Sequence, residues 1–129
     1  MIALDTSSLI AYLSGQKGPD VEAVELVFRQ KQGVLPPVVL SELLSDPKLP
    51  DTVAHLLKTL PLLEVMEGFW ERAGFLRAKL IAKKHKARLA DTLIAQTCLD
   101  HDVSLITRDT DFRHFARMGG LKLFAKTIG

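Results

Sequence analysis

The chain has 129 residues, enough for one domain, and 47% of them are hydrophobic, which allows a real core. Its formal net charge of +2 is too small to imply a nucleic-acid partner by itself, and its single cysteine, Cys98, excludes an internal disulfide and suits a reducing compartment. No apolar run approaches the ~20 residues of a membrane span, and MIALDTSSLIAYL at the start has no basic leader, so a soluble cytoplasmic protein with one domain over residues 1–129 is expected.

Residues 1–4 (MIAL) read as a short buried strand. DTSS then offers several capping side chains to a helix that runs on through SLIAYL. GPD opens a second helix, residues 21–32, with Val21, Val24, Val27 and Phe28 as its apolar stripe and Gly33 placed to end it. Val34 and Leu35 make a second short strand. Pro37 suits the first turn of a helix that carries Glu42. Asp51 caps a helix whose core face is Val53, Leu56, Leu57 and Leu60, and Pro61 closes it.

Residues 62–66 (LLEVM) are expected as a third strand, and residues 67–86 as a long amphipathic helix using Phe69, Trp70, Ala73, Leu76 and Leu80. Its basic end, residues 77–88, holds no acid and reads either as a solvated helix end or as an edge that contacts phosphate. LADTLIAQTCLDH is a further helix, VSLIT a fourth strand, DTDFRHFARM a short helix, Gly119 and Gly120 a break, and LKLF (residues 121–124) a fifth strand. Alternating strands and helices predict an α/β fold, a parallel sheet with helices on both faces, whose functional residues gather beyond the carboxyl ends of the strands.

Five carboxylates need a reason. Asp5 ends the first strand and can cap the next helix, although Thr6, Ser7 or Ser8 could do so instead. Glu42 sits among Val39, Leu40, Leu43 and Leu44, where an exposed position on an amphipathic helix is the ordinary reading. Asp91 can cap its helix, yet its i+3 and i+4 neighbours, Ile94 and Ala95, belong to the apolar face. Asp109 alone reads as an N-cap, but Asp109 and Asp111 together at one strand end would repel unless a cation or a shared proton relieves them.

A hard divalent cation, Mg²⁺ or Mn²⁺, answers all five, because such ions take oxygen ligands from distant parts of a chain and assist attack on phosphate. The four histidines show no zinc-ligand spacing, Cys98 sits in an apolar pattern, and no Walker A, G-x-G-x-x-G or G-x-S-x-G motif occurs.

The ordered segments IALDTSSLI, VVLSELL and LADTLIAQTCLDHDVSLITRDTDF resemble the PIN-domain ribonucleases, most closely the VapC-type toxins of toxin–antitoxin pairs. The string A-D-x-x-I-A followed by L-I-T-R-D-x-D-F carries most of that likeness. The resemblance implies a three-layer α/β/α fold around a mainly parallel sheet of four to five strands. It implies an acidic quartet, Asp5, Glu42, Asp91 and Asp109, that binds Mg²⁺ or Mn²⁺ and cleaves RNA, with Asp111 as a further metal residue and Thr6, Ser7 and Thr107 in support. A homodimer and a cognate antitoxin that blocks the acidic groove are implied as well. The alternative is a PIN-fold module that binds RNA or protein without cutting. A phosphotransfer receiver or D-x-D phosphatase does not fit, because LDTSS lacks the acidic pair both need.

Overall fold

In the computed structural model residues 1–124 are described, and they form three strands and seven helices in the order β1 (Ile2–Leu4), α1 (Thr6–Leu13), α2 (Pro19–Arg29), β2 (Gly33–Val34), α3 (Pro37–Leu44), α4 (Asp51–Thr59), α5 (Phe69–Ala82), α6 (Leu89–His101), β3 (Ser104–Ile106) and α7 (Phe112–Gly119). The strands are parallel in the order β2-β1-β3, with Ile2 opposite both Gly33 and Ser104 and Leu4 opposite Ile106. Ala3, Leu4, Val34, Leu105 and Ile106 are fully buried, as expected of a parallel sheet covered on both faces.

The order of the strands positions the site. The path from β1 to β2 moves one way across the sheet, and the path from β2 to β3 jumps back over β1. Right-handed crossovers, the rule for parallel strands, therefore put α1 and α2 on one face and the later helices on the other. The packing agrees: α1 lies on α2, while α5, α6 and α7 pack on one another and α3 touches both α1 and α6. The chain leaves β1 and β3, which are neighbours, toward opposite faces, and a crevice opens at their carboxyl ends. Phe112 and Phe115 of α7 enter the core 5.7 Å apart, centroid to centroid, and fix that helix under the crevice.

The sheet has three strands among the described residues, not the four to five expected. The two missing ones survive as single bridges at the edges, Leu35 with Leu62 and Leu105 with Leu123. At the first, Leu35 donates to the Pro61 carbonyl and Leu63 to the Leu35 carbonyl, but Pro36 and Pro37 follow and have no N–H with which to continue the ladder. At the second, the Leu105 N–H donates to the Lys122 carbonyl and the Phe124 N–H to the Leu105 carbonyl, one bridge on the far side of β3. Helix ends shift too. Lys31 at φ +54 turns the chain after α2, so Gly33 is freed to enter β2, where a Cβ would lie 3.3 Å from the Leu4 side chain. Trp70 is 63% exposed; the buried stripe of α5 is Phe69, Ala73, Leu76 and Leu80. On α4 only Leu57 is buried. Pro50, not Asp51, stands at the N-cap of α4. No helix of the described residues is long and apolar enough to cross a membrane.

Candidate metal centre

Asp5 follows β1 directly. Its N–H donates to the Ile106 carbonyl at 3.0 Å, which carries the β1–β3 pairing one residue further and fixes Asp5 beside Thr107. It holds the N-cap position of α1 without a side-chain cap bond. Its carboxylate, only 3% exposed, instead accepts the hydroxyls of Ser7 and Thr107, both at 2.7 Å and both on Oδ2. Burial pushes the Asp5 carboxyl above its usual range, and the two hydroxyl bonds oppose that rise.

Thr107 also ties Asp5 to the next acid, because the Asp109 N–H donates to the Thr107 Oγ1 at 3.0 Å. Asp109 Oδ1 then accepts the Asp111 N–H at 2.9 Å, closing a turn ahead of α7. Asp91 stands in the first turn of α6, and that helix has no side-chain cap bond, so the carboxylate is not spent on capping. Carboxylate oxygens of Asp91, Asp109 and Asp111 lie within 4.8 Å of one another, all three half-buried. Burial first, then the charges of Asp109, Asp5 and Glu42, push the Asp91 carboxyl up to about 6. Glu42, exposed on α3, accepts the Thr6 hydroxyl on Oε1 at 2.6 Å. The fold thus draws Asp91, Asp109 and Asp111 into the tight group, with Asp5 and Glu42 outside it but near enough to act on Asp91 electrostatically.

Three helix N-termini meet here: Asp5 and Asp111 hold the N-cap positions of α1 and α7, and Asp91 lies in the first turn of α6. The positive end of each helix dipole offsets part of the repulsion, by about 0.3–1 kcal/mol apiece. The residual conflict among these carboxylates suits a hard cation. All the donors are oxygens, with no thiolate or imidazole in the group, which matches Mg²⁺ or Mn²⁺ and not zinc. Cys98 is fully buried, and burial pushes its thiol up, so it offers no nucleophile.

One arrangement escaped the sequence. Arg108, by its charge a candidate to hold a flanking phosphate, is tied down by Asp20 at 2.9 and 3.0 Å, by Gln16 at 2.7 Å and by the Lys17 carbonyl at 3.1 Å. Ser8 donates to the same Asp20 carboxylate. These bonds moor the loop after β3 to the start of α2. Asp20 gave no signal, because an acid in the first turn of a helix is ordinary and its partner is 88 residues away.

The acid cluster lies at the carboxyl end of the central strands of a parallel α/β fold, where such folds present their sites. The PIN domain family profile matches residues 2–118, and the chain belongs to that family. Among solved structures it is similar to VapBC2 from Rickettsia felis bound to a promoter DNA fragment, with a TM-score of 0.73 and 22% identity over 95% of this chain and 97% of that one. FitAcB from Neisseria gonorrhoeae gives a TM-score of 0.70 and 21% identity over 96% of each chain. A toxin–antitoxin complex from Klebsiella pneumoniae gives 0.67 and 21% over 94% of this chain and 95% of that one. At these identities the likeness is one of fold. Comparison with curated proteins finds no match.

Proposed function

We propose that this protein is a Mg²⁺- or Mn²⁺-dependent endoribonuclease and the toxin of a toxin–antitoxin pair. The observation that carries the reading is the approach of Asp91 at the start of α6 and Asp109 and Asp111 ahead of α7 to within 4.8 Å, with Asp5 and Glu42 near enough to act on Asp91. Asp91, Asp109 and Asp111 would hold the ion together with Asp5, and Glu42, oriented by Thr6, would orient the attacking water. A bound divalent cation supplies charge neutralisation at the scissile phosphate and lowers the pKa of water. Ser7 and Thr107 keep the Asp5 carboxylate in one orientation, so the site is set before substrate arrives.

The family membership and the toxin–antitoxin complex among the similar structures support an antitoxin as partner. A homodimer and a cytoplasmic setting belong to the same proposal. The test is to incubate a mixed RNA pool with the wild type and with Asp91→Asn, in Mn²⁺ or in EDTA, and to map the new RNA ends. Cleavage by the wild type in Mn²⁺ alone is expected. Identical end profiles for the two proteins would remove the nuclease reading and leave a binding module.

A further inference from the structure

The loop between α5 and α6 lies against the acid cluster, and it is pinned on both sides of one lysine. Lys83 and His85 donate to the Leu80 carbonyl at 3.1 and 3.0 Å, and Lys84 turns at φ +60, which ends α5 sharply. On one side of Lys86, the His85 ring stacks on His114 of α7, with centroids 4.4 Å apart and planes 21° from parallel. His114 Nδ1 is buried without a hydrogen-bond partner among the described residues, so ring contact rather than a bond at that nitrogen holds the pair. On the other side, Arg77 Nε donates to the Ala87 carbonyl at 2.8 Å. Between these two anchors Lys86 Nζ stands 3.4 Å from Asp111 Oδ2. The His114 N–H in turn donates to the Asp111 carbonyl, so the stack and the carboxylate share the first turn of α7.

We infer that Lys86 is a built-in counter-ion of the acid cluster, positioned by the His85–His114 stack, and that a divalent cation bound by these acids competes with its charge. The inference rests on the metal-centre reading above. An ammonium at this distance lowers the repulsion among Asp91, Asp109 and Asp111, and it repels a second cation brought to the same carboxylates. The pair is partly open to solvent, with the Lys86 side chain 54% and the Asp111 side chain 26% exposed, so its weight is that of a screened ion pair. Lys86 thereby sets how much metal the site requires, and its charge acts against the acids' own attraction. A lysine that merely contacted RNA phosphate would leave metal affinity untouched.

Titration of the purified protein with Mn²⁺, followed by the free-ion electron paramagnetic resonance signal, tests this on the wild type, Lys86→Met, Lys86→Arg, His85→Ala, His85→Phe and Asp91→Asn. Lys86→Met is expected to bind Mn²⁺ about three- to tenfold more tightly, and Lys86→Arg like the wild type. His85→Ala loosens the loop and moves the affinity the same way by less, while His85→Phe keeps a ring to stack and keeps the wild-type value. In EDTA, Lys86→Met melts below the wild type, and saturating Mn²⁺ closes that gap. Equal or weaker binding by Lys86→Met, or tighter binding by Lys86→Arg as well, overturns the counter-ion. An unchanged His85→Ala overturns the positioning stack. If the wild type binds no better than Asp91→Asn, the metal centre itself falls, and the counter-ion with it.

Discussion

Asp91 concentrates the electrostatic conflict of the molecule. Its folded-state pKa of about 6 lies above the ordinary 3.8, so between those values the folded protein holds a proton that the unfolded chain has lost. The contribution of Asp91 to stability is therefore full below about pH 4 and is lost as pH rises through 6. Because Asp91 is only partly buried, the loss is on the order of 1 kcal/mol after screening. In EDTA, Asp91→Asn is expected to raise the melting temperature by a few degrees at pH 7.5, with the gain shrinking as pH falls from 6 and gone below about pH 4. An equal or lower melting temperature at pH 7.5 would contradict it. Asp5 and the Asp109/Asp111 pair stood out in the sequence because a cap there was dispensable or doubled, and Asp91 because its helical neighbours Ile94 and Ala95 are apolar. Their actual grouping was not legible. It depends on Thr107 spanning Asp5 and Asp109; only the family resemblance named that threonine, because by itself a threonine after a strand looks like any other. Arg108 and Asp20 were equally silent, since nothing local marks a pair that only folding brings together.

At the scale of elements, long apolar periodicities translated well and short strands did not. The α5 stripe of Phe69, Ala73, Leu76 and Leu80 keeps helical spacing and is buried, whereas Trp70, adjacent to it in sequence, points outward. Residues 62–66 have the composition of a strand, but Leu62, Glu64, Val65 and Met66 are exposed and the prolines after Leu35 deny them a ladder. Composition records what could pair; the partner's N–H groups decide whether it does. α7 bears on the site through its packing. Phe112 and Phe115 are its only buried residues, and both are fully buried, so the core anchors the same turn that carries Asp111. Phe112→Ala should cost about 3–5 kcal/mol, read by urea denaturation, because the cavity cannot be refilled from a helix held by two rings. A loss under 1 kcal/mol would mean that α7 is not secured from the core.

For the whole molecule, the connections move out from β1 to β2 and then back over β1 to β3, and this switch puts the crevice at the carboxyl ends of the parallel neighbours β1 and β3. Acids that follow strands or open helices there converge without any local motif requiring it. The alternation of elements made the strand ends the expected location, and the tight group of acids lies there. The measurement that bears most directly on the account is an anomalous difference map from a crystal soaked in Mn²⁺. A peak bounded by the carboxylates of Asp91, Asp109 and Asp111 is expected, lost in Asp91→Asn. A map with no peak there, or with the same peak in the Asp91→Asn crystal, would contradict it.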